Sequence, residues 1–194
     1  TVLGLNTVAA VAAGEKHSLA LLTDGTVRGW GGNEHGQLGD GTNVSRGAPV
    51  AVPGLENVNS VVAGANHSLA LKADGTVWAW GDNACGELGD GTTTDRWTPV
   101  AVSGLSDVVA VAAGCYHSLA VKSDGTVWAW GSNIHGQLGD GTTTDRLTPV
   151  MVTGLSGVVA VAAGTFHSVA LKQNGTVWAW GSNTYGQLGD GSGA

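Results

Sequence analysis

Charge is scarce in this chain. Asp, Glu, Lys and Arg make up 12 % of its 194 residues, about half the share usual in a soluble domain. The shortage points to extensive burial and many turns. Basic residues are scarcest: eight Lys and Arg stand against 15 Asp and Glu, for a formal net charge of −7. They form no cluster, and nucleic-acid binding needs a lysine and arginine footprint, so nucleic acid is excluded as a partner. The two cysteines, Cys85 and Cys115, are too few for a disulfide scaffold. No run of about 18 apolar residues occurs, which removes a membrane-spanning helix. No signal peptide is visible, which decides little for a chain that is trimmed or excised. The expected setting is extracellular or a bacterial cell surface.

What the chain has in excess is glycine, 33 residues of it, and the glycines recur on a fixed period. "HSL" or "HSV" begins at His17, His67, His117 and His167, and "WG" at Trp30, Trp80, Trp130 and Trp180, each 50 residues after the last. The chain is therefore four copies of one unit, at about 1–50, 51–100, 101–150 and 151–194, without insertion or deletion. Such self-similarity marks a repeat architecture, and the lack of linkers argues for a single propeller or partial-propeller array.

Within the third unit four runs read as strands: VVAVAAG at 108–114, HSLAVK at 117–122, TVWAWG at 126–131 and TPVMV at 148–152. All are short, β-branched or aromatic, and bounded by turn residues. Asp124-Gly125 between the second and third is a strong hairpin signal. Four short antiparallel strands per unit and no helical period predict an all-β fold of propeller blades. Side chains alternate along a strand, so Trp128 and Trp130 share one face. Both faces of the strands are apolar, which fits sheets covered on both sides by other sheets. The expected inter-blade packing residues are Trp30, Trp78, Trp80, Trp128, Trp130, Trp178 and Trp180, each pair seated on the small-residue face of its neighbour. A buried indole removes roughly 150–250 Å² from water, worth up to roughly 5 kcal/mol.

The stretches "HSLAL", "DGTVWAWG", "GQLGDG" and "DRLTPV" resemble the repeat of the regulator of chromosome condensation family, over essentially the whole chain. The resemblance implies a β-propeller, usually of seven blades, that binds proteins through its loop faces. In that family some members exchange nucleotide on a small GTPase, one plant branch senses ultraviolet light through clustered Trp, and bacterial relatives include a secreted lactamase inhibitor. This chain departs in copy number. Its fourth unit stops short of an outer strand, and Thr1–Leu5 reads as the tail of one. The expectations are a four-bladed ring, a ring completed by a second chain, or part of a larger propeller, with assembly between chains preferred. Arg28 and Gly29 replace the Trp-Ala of the other units, which is either the polar end of an array or drift.

Chemical motifs do not survive inspection. "GQLGDGT" at 136–142 has three glycines but no Lys and no following helix, so it is not a phosphate loop. Asp140 and Asp145 are too few and too interrupted for a calcium loop, leaving a turn that uses glycine for positive φ and close packing. His117 and Ser118 are strand neighbours and point to opposite faces, so the histidine reads as structural rather than as a base. His67, His117, His135 and the cysteines lack the short-spaced pairs of a zinc site. No catalytic residue, metal or cofactor is expected. Cys85 and Cys115 fall in loops at one face of adjacent blades, as a disulfide or as two free thiols. The sequons at Asn43, Asn66 and Asn174 are the kind that arise by chance.

Comparison of the four copies separates scaffold from variation. The strands barely change, whereas two loop positions change type: Glu15-Lys16, Ala65-Asn66, Cys115-Tyr116 and Thr165-Phe166 in one loop, Glu34-His35, Ala84-Cys85, Ile134-His135 and Thr184-Tyr185 in the other. All lie on one rim in the predicted blade order, and aromatics and His at loop tips are common contact anchors. The candidate partner-binding residues are Glu15, Lys16, Glu34, His35, Asn66, Tyr116, Ile134, His135, Phe166 and Tyr185. The expected function is a non-enzymatic scaffold whose rim binds a protein partner. The alternative is a structural protein that assembles with copies of itself into rings or filaments. Nucleotide exchange rests on the family resemblance alone.

Overall fold

A computed structural model describes residues 1–192. Fifteen strands fall into four antiparallel sheets. The first sheet holds β1 (Val8–Ala13), β2 (His17–Leu22), β3 (Val27–Gly31) and β4 (Arg46–Ala51), in that spatial order. The second repeats it with β5 (Val58–Ala63), β6 (His67–Lys72), β7 (Val77–Gly81) and β8 (Arg96–Ala101), and the third with β9 (Val108–Ala113), β10 (His117–Lys122), β11 (Val127–Gly131) and β12 (Arg146–Met151). The fourth has three strands among the described residues: β13 (Val158–Ala163), β14 (His167–Lys172) and β15 (Val177–Gly181). There is no helix among the described residues.

Local chemistry explains each blade. Asp124 accepts from the Thr126 amide at 2.9 Å and hydroxyl at 2.7 Å, and Gly125 takes φ 77° to close the β10–β11 turn. Across this hairpin Ser118 pairs with Trp130 and Ala120 with Trp128, a small residue opposite each indole. Pro49, Pro99 and Pro149 fall in β4, β8 and β12, each an edge strand, where a missing amide is tolerated.

Among the described residues no single central core forms. Three apolar clusters fill the three seams between consecutive sheets. At the middle seam Leu69, Leu71, Val77, Ala79 and Leu88 of one sheet meet Trp130, Val108 and Ala120 of the next. The two indoles of a pair do not share this seat equally. Trp80 and Trp130 are fully buried, whereas Trp78 and Trp128 are half-buried and Trp178 is 50 % exposed. Lys72, Lys122 and Lys172 lie over those outer rings at 5.5–5.8 Å, and such a cation contributes only about 0.5–1 kcal/mol at an exposed site. The second indole thus fills the centre of each seam, while Trp78 and Trp128 pack against the same seam clusters from their margin.

The end sheets each pack on one neighbour. Arg28 and Trp30 therefore stand on a face with no sheet against it among the described residues, and both are half-covered. At the opposite end, Val177 is 64 % exposed although its counterpart Val127 is fully buried.

Candidate functional site: the loop rim

The rim is built from two loops per blade, fused by backbone hydrogen bonds. The residue after the Trp strand donates its amide to the second variable residue of the inner loop: Gly32 to Lys16, Asp82 to Asn66, Ser132 to Tyr116 and Ser182 to Phe166, at 2.7–2.9 Å. The variable pairs are thus held side by side on one edge.

The glycine-rich stretch is the frame of the outer loop. Asn133, buried, donates its side-chain amide to the Thr142 and Thr144 carbonyls and to Asp140, and accepts from the Leu138 amide. Asp140 accepts from the Thr142 amide and hydroxyl and from the Arg146 guanidinium. Burial alone would raise this carboxyl, but the bonds from Thr142, Arg146 and Asn133 outweigh it and hold the group at about 2. Its lone pairs are committed inside the loop. Gly139, at φ 65°, lies beneath Trp180, where an added Cβ would come within 2.9 Å of the indole nitrogen. The loop is both turn and seat.

Each seam also carries a buried polar relay. Trp130 Nε1 and Ser118 Oγ both donate to the Glu87 carbonyl of the preceding blade, at 2.7 and 2.9 Å. His67 Nε2 lies 3.0 Å from Ser118 Oγ. Because the serine proton is directed at a carbonyl, the histidine must donate, and it cannot serve as a base for that serine. Burial lowers His17, His67 and His117 to about 4, 3 and 4, so all are neutral at pH 7. The His-Ser contact is therefore structural, but it joins blades 51 residues apart. Sequence reasoning tested only chain neighbours and missed it, although the period itself was the available signal.

The candidate residues divide into two groups. Over the third and fourth blades Tyr116 and Phe166 stack with centroids 5.5 Å apart, and His135 meets Phe166 edge-on at 4.9 Å. Tyr185, 87 % exposed, joins His135 and Phe166 in lining a shallow hollow of about 540 Å³, and Ile134 is exposed nearby in chain. Over the first and second blades the rim is charged. Glu15, Lys16 and Glu34 are exposed, and Asn66 is half-buried and accepts from Gln37 at 3.5 Å. His35 Nδ1 lies 3.0 Å from Asp95 Oδ2 and 3.9 Å from Asp82 Oδ1. Burial alone would lower His35, but the hydrogen bond it donates to Asp95 and the charges of Asp82, Asp95 and Glu34 raise it. Asp82 and Asp95 were not among the residues singled out by sequence.

The two thiols left open as a disulfide are free. Cys115 lines the small-residue hollow at the axis, with Glu15, Ala65 and Thr165, and its thiol lies 3.4 Å from the Thr165 hydroxyl. Cys85 sits in the outer loop beside Glu87, where burial and then the nearby carboxylates push the thiol up to about 11. Cys85 is not poised as a nucleophile.

Four-stranded blades joined by Trp seams and glycine loops define a propeller of the chromosome-condensation-regulator type. The chain belongs to the RCC1-like domain family, whose model matches residues 1–194. It superposes on Prp20p of Saccharomyces cerevisiae with TM-score 0.83 at 27 % identity, covering 98 % of this chain and 49 % of that one. Human WBSCR16 gives TM-score 0.84 at 29 % identity, covering 95 % and 50 %. Among curated proteins, the ultraviolet-B receptor UVR8 of Arabidopsis thaliana is 40 % identical over 45 residues, 23 % of this chain and 10 % of the receptor. The chain thus spans about half the length of these solved relatives.

Proposed function

We propose that the chain is a non-enzymatic propeller scaffold that binds a protein partner through the aromatic half of its rim. The observation that carries this reading is the Tyr116–Phe166–His135 cluster, with Tyr185 beside the same hollow. Exposed rings on a rigid frame contribute large contact area at little entropic cost, and aromatic residues dominate binding hot spots. The solved relatives support the direction: yeast Prp20 has been determined with Kap60 bound, and binding to Gsp1p and histones is ascribed to it. The test is affinity capture with the full chain, followed by measurement of the captured protein in purified form. The triple variant Y116A/F166A/Y185A should lose at least about tenfold in affinity, while Glu15→Ala changes little. Undiminished binding by the triple variant would remove the rim reading.

A second reading, self-association, is favoured by the open faces. Gln37, Glu87 and Gln137 each offer a carbonyl to the Trp and Ser of the following blade. Gln187 occupies the same place on the fourth blade, and Ser18 and Trp30 are the matching donors on the first. A second copy would bring them together across a seam like the three within the chain. Light scattering across a concentration series tests this, and a monomer at every concentration counts against it.

A further inference from the structure

The charged half of the rim brings together a donor set that the other seams lack. His35 comes from the loop after β3, and Asp82 and Asp95 from the equivalent loop after β7. Their three donor atoms all lie within 4.8 Å of one another. With the two sides from His35 at 3.0 and 3.9 Å, a point within about 2.4 Å of all three exists, which a contraction of a few tenths brings to the bond lengths of a divalent cation with imidazole and carboxylate oxygens.

The donors are anchored by the backbone around them. Asp95 accepts the Asn83 amide through its other oxygen at 3.0 Å, Asp82 accepts the Ala84 amide at 3.1 Å on the oxygen that faces His35, which keeps a second lone pair, and the His35 amide donates to Gln37 at 3.0 Å. Such contacts orient ligands as an outer shell does. Among the described residues His35 is the only cationic group within ion-pair reach of Asp82 and Asp95. Beneath them lies Glu87, 1 % exposed, where the other units have Gln37, Gln137 and Gln187. Burial, with the charges of Asp82 and Asp95 added, pushes this carboxyl up to about 7. A simple ion pair would need one carboxylate for one imidazole, so Asp82 is surplus to it. The repeats sharpen the point. At the position of Asp82 the other units have Gly32, Ser132 and Ser182, and at that of His35 they have Cys85, His135 and Tyr185. Only the first seam unites a histidine with two aspartates.

We propose that His35, Asp82 and Asp95 form a divalent-cation site that clasps the first and second blades at the rim. One imidazole nitrogen with two carboxylate oxygens suits zinc and its first-row neighbours better than calcium or magnesium, which prefer all-oxygen shells. Three protein ligands leave at least one position to water. The metal binds neutral imidazole through Nδ1, so it displaces any proton held there, and affinity falls as pH falls.

Isothermal titration of the chelator-treated full chain with zinc should show one equivalent bound. Asp82→Ser and Asp95→Ser should each weaken that binding at least about tenfold, and Asp145→Ser, the matching change in the third unit, should leave it unchanged. Both serines already stand at these positions in other repeats (Ser132 and Ser182; Ser45), so the variants keep the fold, and equal melting temperatures in chelator verify it. Zinc should raise the melting temperature of the parent but not of Asp82→Ser. Cobalt provides the second readout: nitrogen and oxygen ligation gives weak visible bands without thiolate charge transfer. No stoichiometric uptake, uptake undiminished in the Asp82 and Asp95 variants, or a thiolate band pointing to the cysteines would each overturn the site.

Discussion

The third and fourth blades carry the same TVWAWG strand, yet the chain treats the two differently. In the third, Val127 is fully buried against the next sheet; in the fourth, Val177 is 64 % exposed. Gly139 is pressed by Trp180, whereas Gly189, at nearly the same φ, has nothing within 4 Å. Identical residues in identical local conformations thus differ only in whether another sheet lies against them. What stabilises this molecule is the seam, and the blade supplies half of one.

That contrast can be broken or sharpened by experiment. The largest effect should come from acid. The seam histidines His17, His67 and His117 sit at about 4, 3 and 4, chiefly through burial, against about 6.5 in an unfolded chain. The unfolded state therefore binds protons first. Seam stability is complete above about pH 6.5 and is lost as pH falls towards 3, by roughly 3–5 kcal/mol per histidine. Urea midpoints measured from pH 7 to 4 should fall steadily, and His117→Gln should flatten the slope. A flat profile in the parent would show that these rings are not buried in solution.

Next comes Trp130→Ala, which empties a filled seat and removes one of the two donors to the Glu87 carbonyl; a loss of about 3–5 kcal/mol is expected in urea unfolding. Trp30→Ala, on the open face, should lose less than half as much. Smaller still is the valine pair. Val127→Ala should cost about 1.5–3 kcal/mol, and Val177→Ala no more than about 0.5 kcal/mol. Equal losses would mean that the fourth blade's face is covered in solution, the outcome self-association requires.

Much of the architecture was legible because it is periodic. The 50-residue spacing, the Asp124-Gly125 hairpin and the run of small residues opposite the indoles are all local signals. The inequality within each Trp pair was not. Trp128 and Trp130 alternate onto the same face, but Gly89 in the loop of the preceding blade seats Trp130, and no propensity encodes where a loop folds over. At the rim, the variable positions near Phe166 were visible as departures between copies. Asp82 was the same kind of departure, a carboxylate where other units have Gly or Ser, two positions before the Ala84-Cys85 pair compared. Its meaning depends on His35 of a different repeat, and such a pairing becomes visible only when neighbouring copies are laid against each other in space.

Four sheets share three seams, and every seam is filled by contacts between adjacent blades alone. Resistance to unfolding should then grow by a similar step with each sheet added, as in a stack of plates rather than a drop of oil. The outermost plate, held from one side, is the first to exchange its amide hydrogens and the place where peeling begins.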